Sequence, residues 1–203
     1  MEEKKTPNQE IPKDEDIRAE VQEYYEQIAT GAVETEISPD EVMRSLGYDE
    51  KMLEQLPEGV NLGLSCGNPL DNLILTPGET LLDLGCGSGM DIFLTRMKYP
   101  EAGTLYGMDQ LESMLARATK ARDKKGFKDI EFHLGTLIEI PFEDNSIDKV
   151  ISNCVINLEP NKQQVYDEIY RVLKPGGSFI ISDILLKKPL SEELRSAENL
   201  YGT

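Results

Sequence analysis

From residue 79 onward, short apolar runs alternate with longer segments whose apolar positions recur every three or four residues. The short runs lie at 80–84, 104–108, 130–134, 147–152 and 178–184, and the periodic segments at 89–98, 111–125 and 161–173. Short apolar runs bounded by glycine, proline or polar clusters read as strands, and the periodic segments as helices. Leu173-Lys-Pro-Gly-Gly177 reads as a tight turn closing the last helix. Strand and helix in alternation imply right-handed crossovers and a parallel sheet covered on both faces.

The first 78 residues follow a different pattern. Residues 1–16 are charged and contain prolines, and read as a tail. Ile17, Val21, Tyr24, Tyr25 and Ile28 have helical spacing over 17–30, and Gly31 ends that run. A second helical stretch fills 39–56, between Pro39 and Pro57, and residues 60–78 form a loop rich in glycine and proline. The expected organisation is a helical N-terminal cap over 1–78 and a core unit over 79–203. The chain stops at Thr203, inside a segment that reads as a helix begun near Leu190. With five strands counted, the expectation is that C-terminal strands are missing.

The first strand-like run ends in Asp83-Leu-Gly-Cys-Gly-Ser-Gly89. The second ends in Asp109, 24 residues after Gly85. An apolar strand, a glycine turn, a helix and an acid on the next strand form the layout of a nucleoside-cofactor site in a doubly wound, Rossmann-like α/β fold. Glycines let the backbone approach the ligand, and the acid accepts hydrogen bonds from two ribose hydroxyls. Here the spacing is G-x-G-x-G, because position 90 is Met. The dinucleotide pattern uses a third glycine, one residue later, for helix packing above a pyrophosphate. A cofactor without phosphates, such as S-adenosylmethionine, therefore fits better than NAD. Gly85, Gly87 and Gly89 would line its methionine and ribose parts, Asp83 its ammonium, and Asp109 its ribose.

Charge and composition narrow the classes. A net charge of −17 argues against nucleic acid and anionic membrane surfaces as partners. No run approaches the length of a membrane span, and the N-terminus lacks the apolar stretch of a signal peptide. Three cysteines in such a chain point to reduced thiols and a cytoplasmic location. With a single histidine, His133, a His-based metal site or a Ser-His-Asp triad is improbable, and His133 reads as a satisfied core residue.

Residues 79–183 resemble the class I S-adenosylmethionine-dependent methyltransferases, through Glu79–Gly89, Gly107-Met-Asp109, Ile140–Asp148 and Leu173–Phe179. Two further segments, Asn61-Leu-Gly-Leu-Ser-Cys-Gly-Asn-Pro69 and Ile151-Ser-Asn-Cys-Val-Ile-Asn-Leu158, resemble the arsenite methyltransferases. That resemblance implies that Cys66 and Cys154 ligate trivalent arsenic, the substrate. It also implies that a small thiol such as glutathione, or thioredoxin, delivers or releases arsenic, while the wider methyltransferase resemblance implies that Thr136 and Leu137 meet the adenine. Thiolates are the natural ligands of so soft a centre. Many family members carry further cysteines in the N-terminal arm, where Gly31–Ile37 has none, and after the fifth strand.

Several readings stay open. Asn153 and Asn157 flank Cys154 and would either position the cofactor carboxylate or a substrate ligand, or cap a loop. Tyr24 and Tyr25 would close the arm over the cofactor or simply face the core. Cys86, inside the glycine turn, reads as packing. The alternatives to arsenic methylation are transfer to oxygen or carbon of a small organic acceptor, and a module that binds cofactor or metalloid without turnover.

Overall fold

The structure is a computed structural model and describes residues 13–32 and 37–188. Strands β1 (Leu81–Leu84), β2 (Leu105–Asp109), β3 (Ile130–Leu134), β4 (Ile147–Asn153) and β5 (Leu173–Ser182) form one sheet, ordered β3-β2-β1-β4-β5. Every neighbouring pair is parallel. Helices α1 (Asp14–Thr30), α2 (Pro39–Ser45) and α3 (Glu50–Leu53) precede the sheet, and α4 (Met90–Lys98), α5 (Glu112–Lys125) and α6 (Lys162–Val172) connect its strands. The chain runs outward from β1 through β2 to β3, then crosses to the other side of β1 for β4 and β5. This Rossmann-like sheet thus has its switch point at the carboxyl ends of β1 and β4, where doubly wound folds bind ligands.

Both faces are covered, so β1 is apolar on both, except at Asp83. On one face Leu81, Leu105 and Ile130 pack against Ile92, Phe93 and Leu94 of α4, with Met43 and Tyr48 of the N-terminal segment added. On the other, Leu82, Leu84 and Val150 pack against Val165, Ile169 and Val172 of α6. The cap therefore shares the main core.

The structure departs from the sequence pattern at four places. α1 begins at Asp14, because the acids of its first turn suit a helix N-terminus and Asp16 accepts the Lys13 N–H at 3.3 Å. The stretch 39–56 splits into α2 and α3, since Gly47 takes a φ of +84° and Asp49 caps Met52 N–H at 3.1 Å. β5 starts at Leu173, before the expected turn, which becomes an irregularity between the pairs Ile147–Leu173 and Lys149–Ser178. His133 lies half-buried on edge strand β3 against Tyr106 and Phe142, and its Nε2 has no hydrogen bond. The helix expected near Leu190 and most of the expected tail lie outside the described residues. Among those described, no helix is long and apolar enough to cross a membrane.

Candidate active site

A cavity of about 180 Å³ opens at the switch point. Its floor is the glycine turn between β1 and α4. Gly85 has a φ of +69°, and a Cβ there would fall 2.6 Å from the Val155 side chain, so only glycine fits. Gly87 N–H donates to Asp109 Oδ2 at 2.9 Å, and Leu111 N–H to Oδ1 at 3.0 Å. These bonds fix the carboxylate and leave each oxygen a further lone pair for a hydroxyl. Burial pushes the Asp109 pKa up, against the pull of backbone N–H groups from Leu111, Gly87 and Gln110.

Asp83 is 3% exposed and lines the same cavity. Burial, then the charges of Asp91 and Asp109, push its pKa well above the usual carboxylate range. No described donor hydrogen-bonds it. A buried acid without a donor, facing a cavity, asks for a cation from the ligand.

Asp91, in the first turn of α4, escaped the sequence reading. Its Oδ1 accepts the Tyr48 hydroxyl at 2.7 Å and its Oδ2 accepts Asn153 Nδ2 at 2.9 Å. Asn153 Nδ2 also reaches Gly67 O at 3.0 Å, and Asn153 Oδ1 accepts the Cys66 N–H at 3.3 Å. Asn153 thus couples the cysteine loop to α4. Asn157 takes the capping role instead: its N–H donates to Asp183 Oδ2 at 3.0 Å and its amide to Ile184 O. Burial, then the Asp91 charge, push the Tyr48 hydroxyl far above the usual phenol range. Asp91 is a further acid in the turn-to-helix segment, a visible signal; Tyr48 reaches the site only through tertiary packing.

Cys66 and Cys154 meet beside this network. They are 88 residues apart in sequence, with Cα atoms 5.7 Å apart, and are joined as a disulfide. Reduced thiols were expected; packing of the 60–68 loop against the ends of β4 and β5 brings these two into bonding contact. A Cβ on Gly67 would sit 2.7 Å from Ser182 Cβ, and Cys154 N–H donates to Ser182 O at 2.8 Å. Cys154 holds a φ of +60°, uncommon outside glycine, and lines the cavity. The remaining cysteine, Cys86, is free and buried, its sulfur against Gly107, with burial pushing its thiol pKa up.

Helix α1 lies over the mouth. Arg18 pairs with Glu159 through two bonds, at 2.9 and 2.7 Å, and Arg117 of α5 reaches Ala29 O at 2.6 Å. Tyr25 lines the cavity, and its hydroxyl is pushed up to about 12, first by burial. Tyr24 packs edge-on against it. Thr136, exposed, and Leu137, half-buried, line the side beyond β3.

The profile of the methyltransferase domain matches residues 75–203. The chain belongs to the methyltransferase-domain family. This methyltransferase domain is 41% identical to the arsenite methyltransferase of Halobacterium salinarum over 162 residues, 80% of this chain and 41% of that protein. It is 33% identical to the sterol 24-C-methyltransferase of Pneumocystis carinii over 127 residues, 62% of this chain and 33% of that protein. The structure of an arsenic(III) S-adenosylmethionine methyltransferase from Chlamydomonas reinhardtii superposes with a TM-score of 0.59 at 33% identity, covering 76% of this chain and 52% of that one. The methyltransferase domain thus spans about half, or less, of the relatives it matches. S-adenosylmethionine is the cofactor of such domains, and the residues fit it: Asp83 offers an unpaired acid to its cationic groups, Asp109 two free lone pairs to its ribose, and Gly85 a bare backbone beside them.

Proposed function

We propose that this chain transfers a methyl group from S-adenosylmethionine to trivalent arsenic held by Cys66 and Cys154. The observation that carries the reading is the meeting of these two cysteines, distant in sequence, at the rim of the cavity that Gly85, Asp83 and Asp109 floor. The similarity to arsenite methyltransferases supports the same substrate.

When bound, S-adenosylmethionine supplies an electrophilic methyl on a sulfonium. Asp83 would hold its cationic end and Asp109 its ribose, while Tyr25 and Leu137 exclude water from the apolar side. The disulfide must first accept two electrons, with glutathione or thioredoxin oxidised in its place. Each thiol then exchanges with a hydroxide on arsenite, and its proton leaves in the water released. Arsenic bound to sulfur keeps a lone pair, and the protein's task is to aim that pair at the methyl. Asn153 would act here as a positioning residue, since it bonds the Cys66 backbone and precedes Cys154. The products are a methylated arsenical and S-adenosylhomocysteine.

The test is transfer of labelled methyl from the cofactor, with the chain reduced, to arsenite and to a panel of oxygen and carbon acceptors. Label in methylated arsenicals that disappears in Cys66→Ser supports the reading. Label only in an organic acceptor replaces it with the rival. Cofactor binding with no label transferred to any acceptor points to a module without turnover.

A further inference from the structure

The two sulfurs have a third neighbour. A carboxylate oxygen of Asp183 and the sulfurs of Cys66 and Cys154 lie within 4.8 Å of one another, all on half-buried residues. Asp183 directly follows β5, and the backbone holds its carboxylate: Oδ2 accepts Asn157 N–H at 3.0 Å and Oδ1 accepts Ile184 N–H at 2.9 Å. Those bonds orient the group and leave lone pairs free, as the supporting contacts of metal-binding carboxylates do. Three donors therefore converge from the cap loop, the end of β4 and the end of β5.

We propose that the reduced chain binds a thiophilic divalent cation, zinc or cadmium, through Cys66, Cys154 and Asp183, in competition with arsenic. The inference rests on the proposed role of these cysteines as a thiolate pair, and adds Asp183 and a second class of ligand to it. Zinc–sulfur and zinc–oxygen bonds of about 2.3 and 2.1 Å put the donors of a tetrahedral site roughly 3.5–3.8 Å apart. Reduction frees the two sulfurs to move apart to that spacing, with the Asp183 carboxylate oxygen already within 4.8 Å of both. Two thiolates and a carboxylate carry three negative charges, which favours a dication over neutral arsenite. Trivalent arsenic takes thiolates in preference to a carboxylate, whereas zinc accepts a carboxylate oxygen alongside sulfur. Asp183 would therefore discriminate between the two ligands while the cysteines serve both. Three protein donors leave a fourth position for water.

The chemistry balances. A dithiol reductant converts the disulfide to two thiols and is itself oxidised to a disulfide. The cation then displaces one proton from each thiol into the buffer.

The experiment titrates the reduced chain, freed of reductant, with zinc chloride by calorimetry and with cadmium chloride by the ultraviolet absorption of cadmium thiolates. A parallel titration uses arsenite. The expected result is one cation per chain with two protons released, and loss of both cation and arsenic binding in Cys66→Ser. Asp183→Asn should weaken zinc tenfold or more and leave arsenic within twofold, while Asp183→Glu, which keeps the charge, should restore part of the zinc affinity. Arsenic binding without cation binding overturns this inference and leaves the proposed function standing. Cation binding without arsenic binding overturns the proposed function and the competition with arsenic, and leaves the cation site standing. Zinc affinity unchanged in a folded Asp183→Asn, checked by circular dichroism, also overturns it. Should that variant unfold, Asp183→Glu decides alone: zinc affinity unchanged in it counts against Asp183 as a ligand, and weakened zinc with intact arsenic binding supports it.

Discussion

The ends of β1 and β2 and the end of β4 face one cavity, yet they are built by opposite means. At β1 and β2 the chain arranges its own neighbours. Gly87 and Leu111, each close in sequence to the end of a strand, donate to Asp109 and fix it. At β4 almost nothing local is used. Cys154 finds Cys66 across 88 residues, Cys66 is held by Asn153, and Asn153 is held by Asp91 and Gly67. The first arrangement is rigid by local geometry. The second exists only when cap, sheet and α4 are folded together. A cofactor common to many reactions suits the first, and the residues that choose a substrate suit the second.

The sharpest test of that contrast is to remove one sulfur. Cys66→Ser or Cys154→Ser should abolish tight arsenic binding while leaving calorimetric titration with S-adenosylhomocysteine nearly unchanged. Cys86→Ser should alter arsenic binding little, because that thiol is packed against Gly107. An essential Cys86 beside a dispensable Cys66 would reverse the assignment.

This asymmetry also explains what the sequence disclosed. The glycine turn, Asp83, Asp109 and the alternation of strands and helices were legible, because each depends on a few consecutive residues and the periodicity around them. The partnership of Cys66 and Cys154 was legible only through family resemblance, and its oxidised form was not. Tyr48 was invisible: its hydroxyl matters because packing buries it against Asp91, not because of any local pattern. β5 began early for a related reason. Leu173 pairs with Ile147 across the sheet, overriding the local turn signal of Pro175-Gly176-Gly177.

On the locally built side the expected effect is smaller and confined to the cofactor. Asp109→Ala should weaken S-adenosylhomocysteine binding by roughly 1.5–3 kcal/mol, the range for hydrogen bonds to a charged group. Arsenic binding by the reduced chain should be unaffected. A variant that loses arsenic as well would show that the two sides are not independent.

Asp83 sharpens the comparison through pH. Its folded pKa is raised, by burial first, above its unfolded value. Between those two values the native chain holds more protons than the unfolded chain, so this group makes stability fall as pH rises through that window. Each unit of elevation is worth ~1.4 kcal/mol. Urea unfolding of the chain without cofactor, from about pH 4 upward, should show that fall. Asp83→Asn should flatten it and raise stability at neutral pH, while weakening cofactor binding. An unchanged slope would mean that Asp83 titrates normally in the native chain.

The smallest effect concerns an ion pair that ties α1, across the mouth, to the β4 side. Arg18 is anchored on α1, which covers the cavity, and Glu159 on the segment that follows Cys154. Burial raises the Glu159 pKa, but the Arg18 hydrogen bonds, the Asn161 N–H and nearby cations outweigh it and leave the carboxylate below its usual range. Arg18 is partly exposed, so solvent screens the pair, and Arg18→Met should cost only about 1 kcal/mol of stability or less. The apolar replacement keeps much of the helix's packing and removes the tie. Its signature should therefore be kinetic: faster release of S-adenosylhomocysteine in stopped-flow displacement, with little change in the association rate. Unaltered release together with lost stability would make the pair a fastener of the cap alone, with no hold on the cofactor.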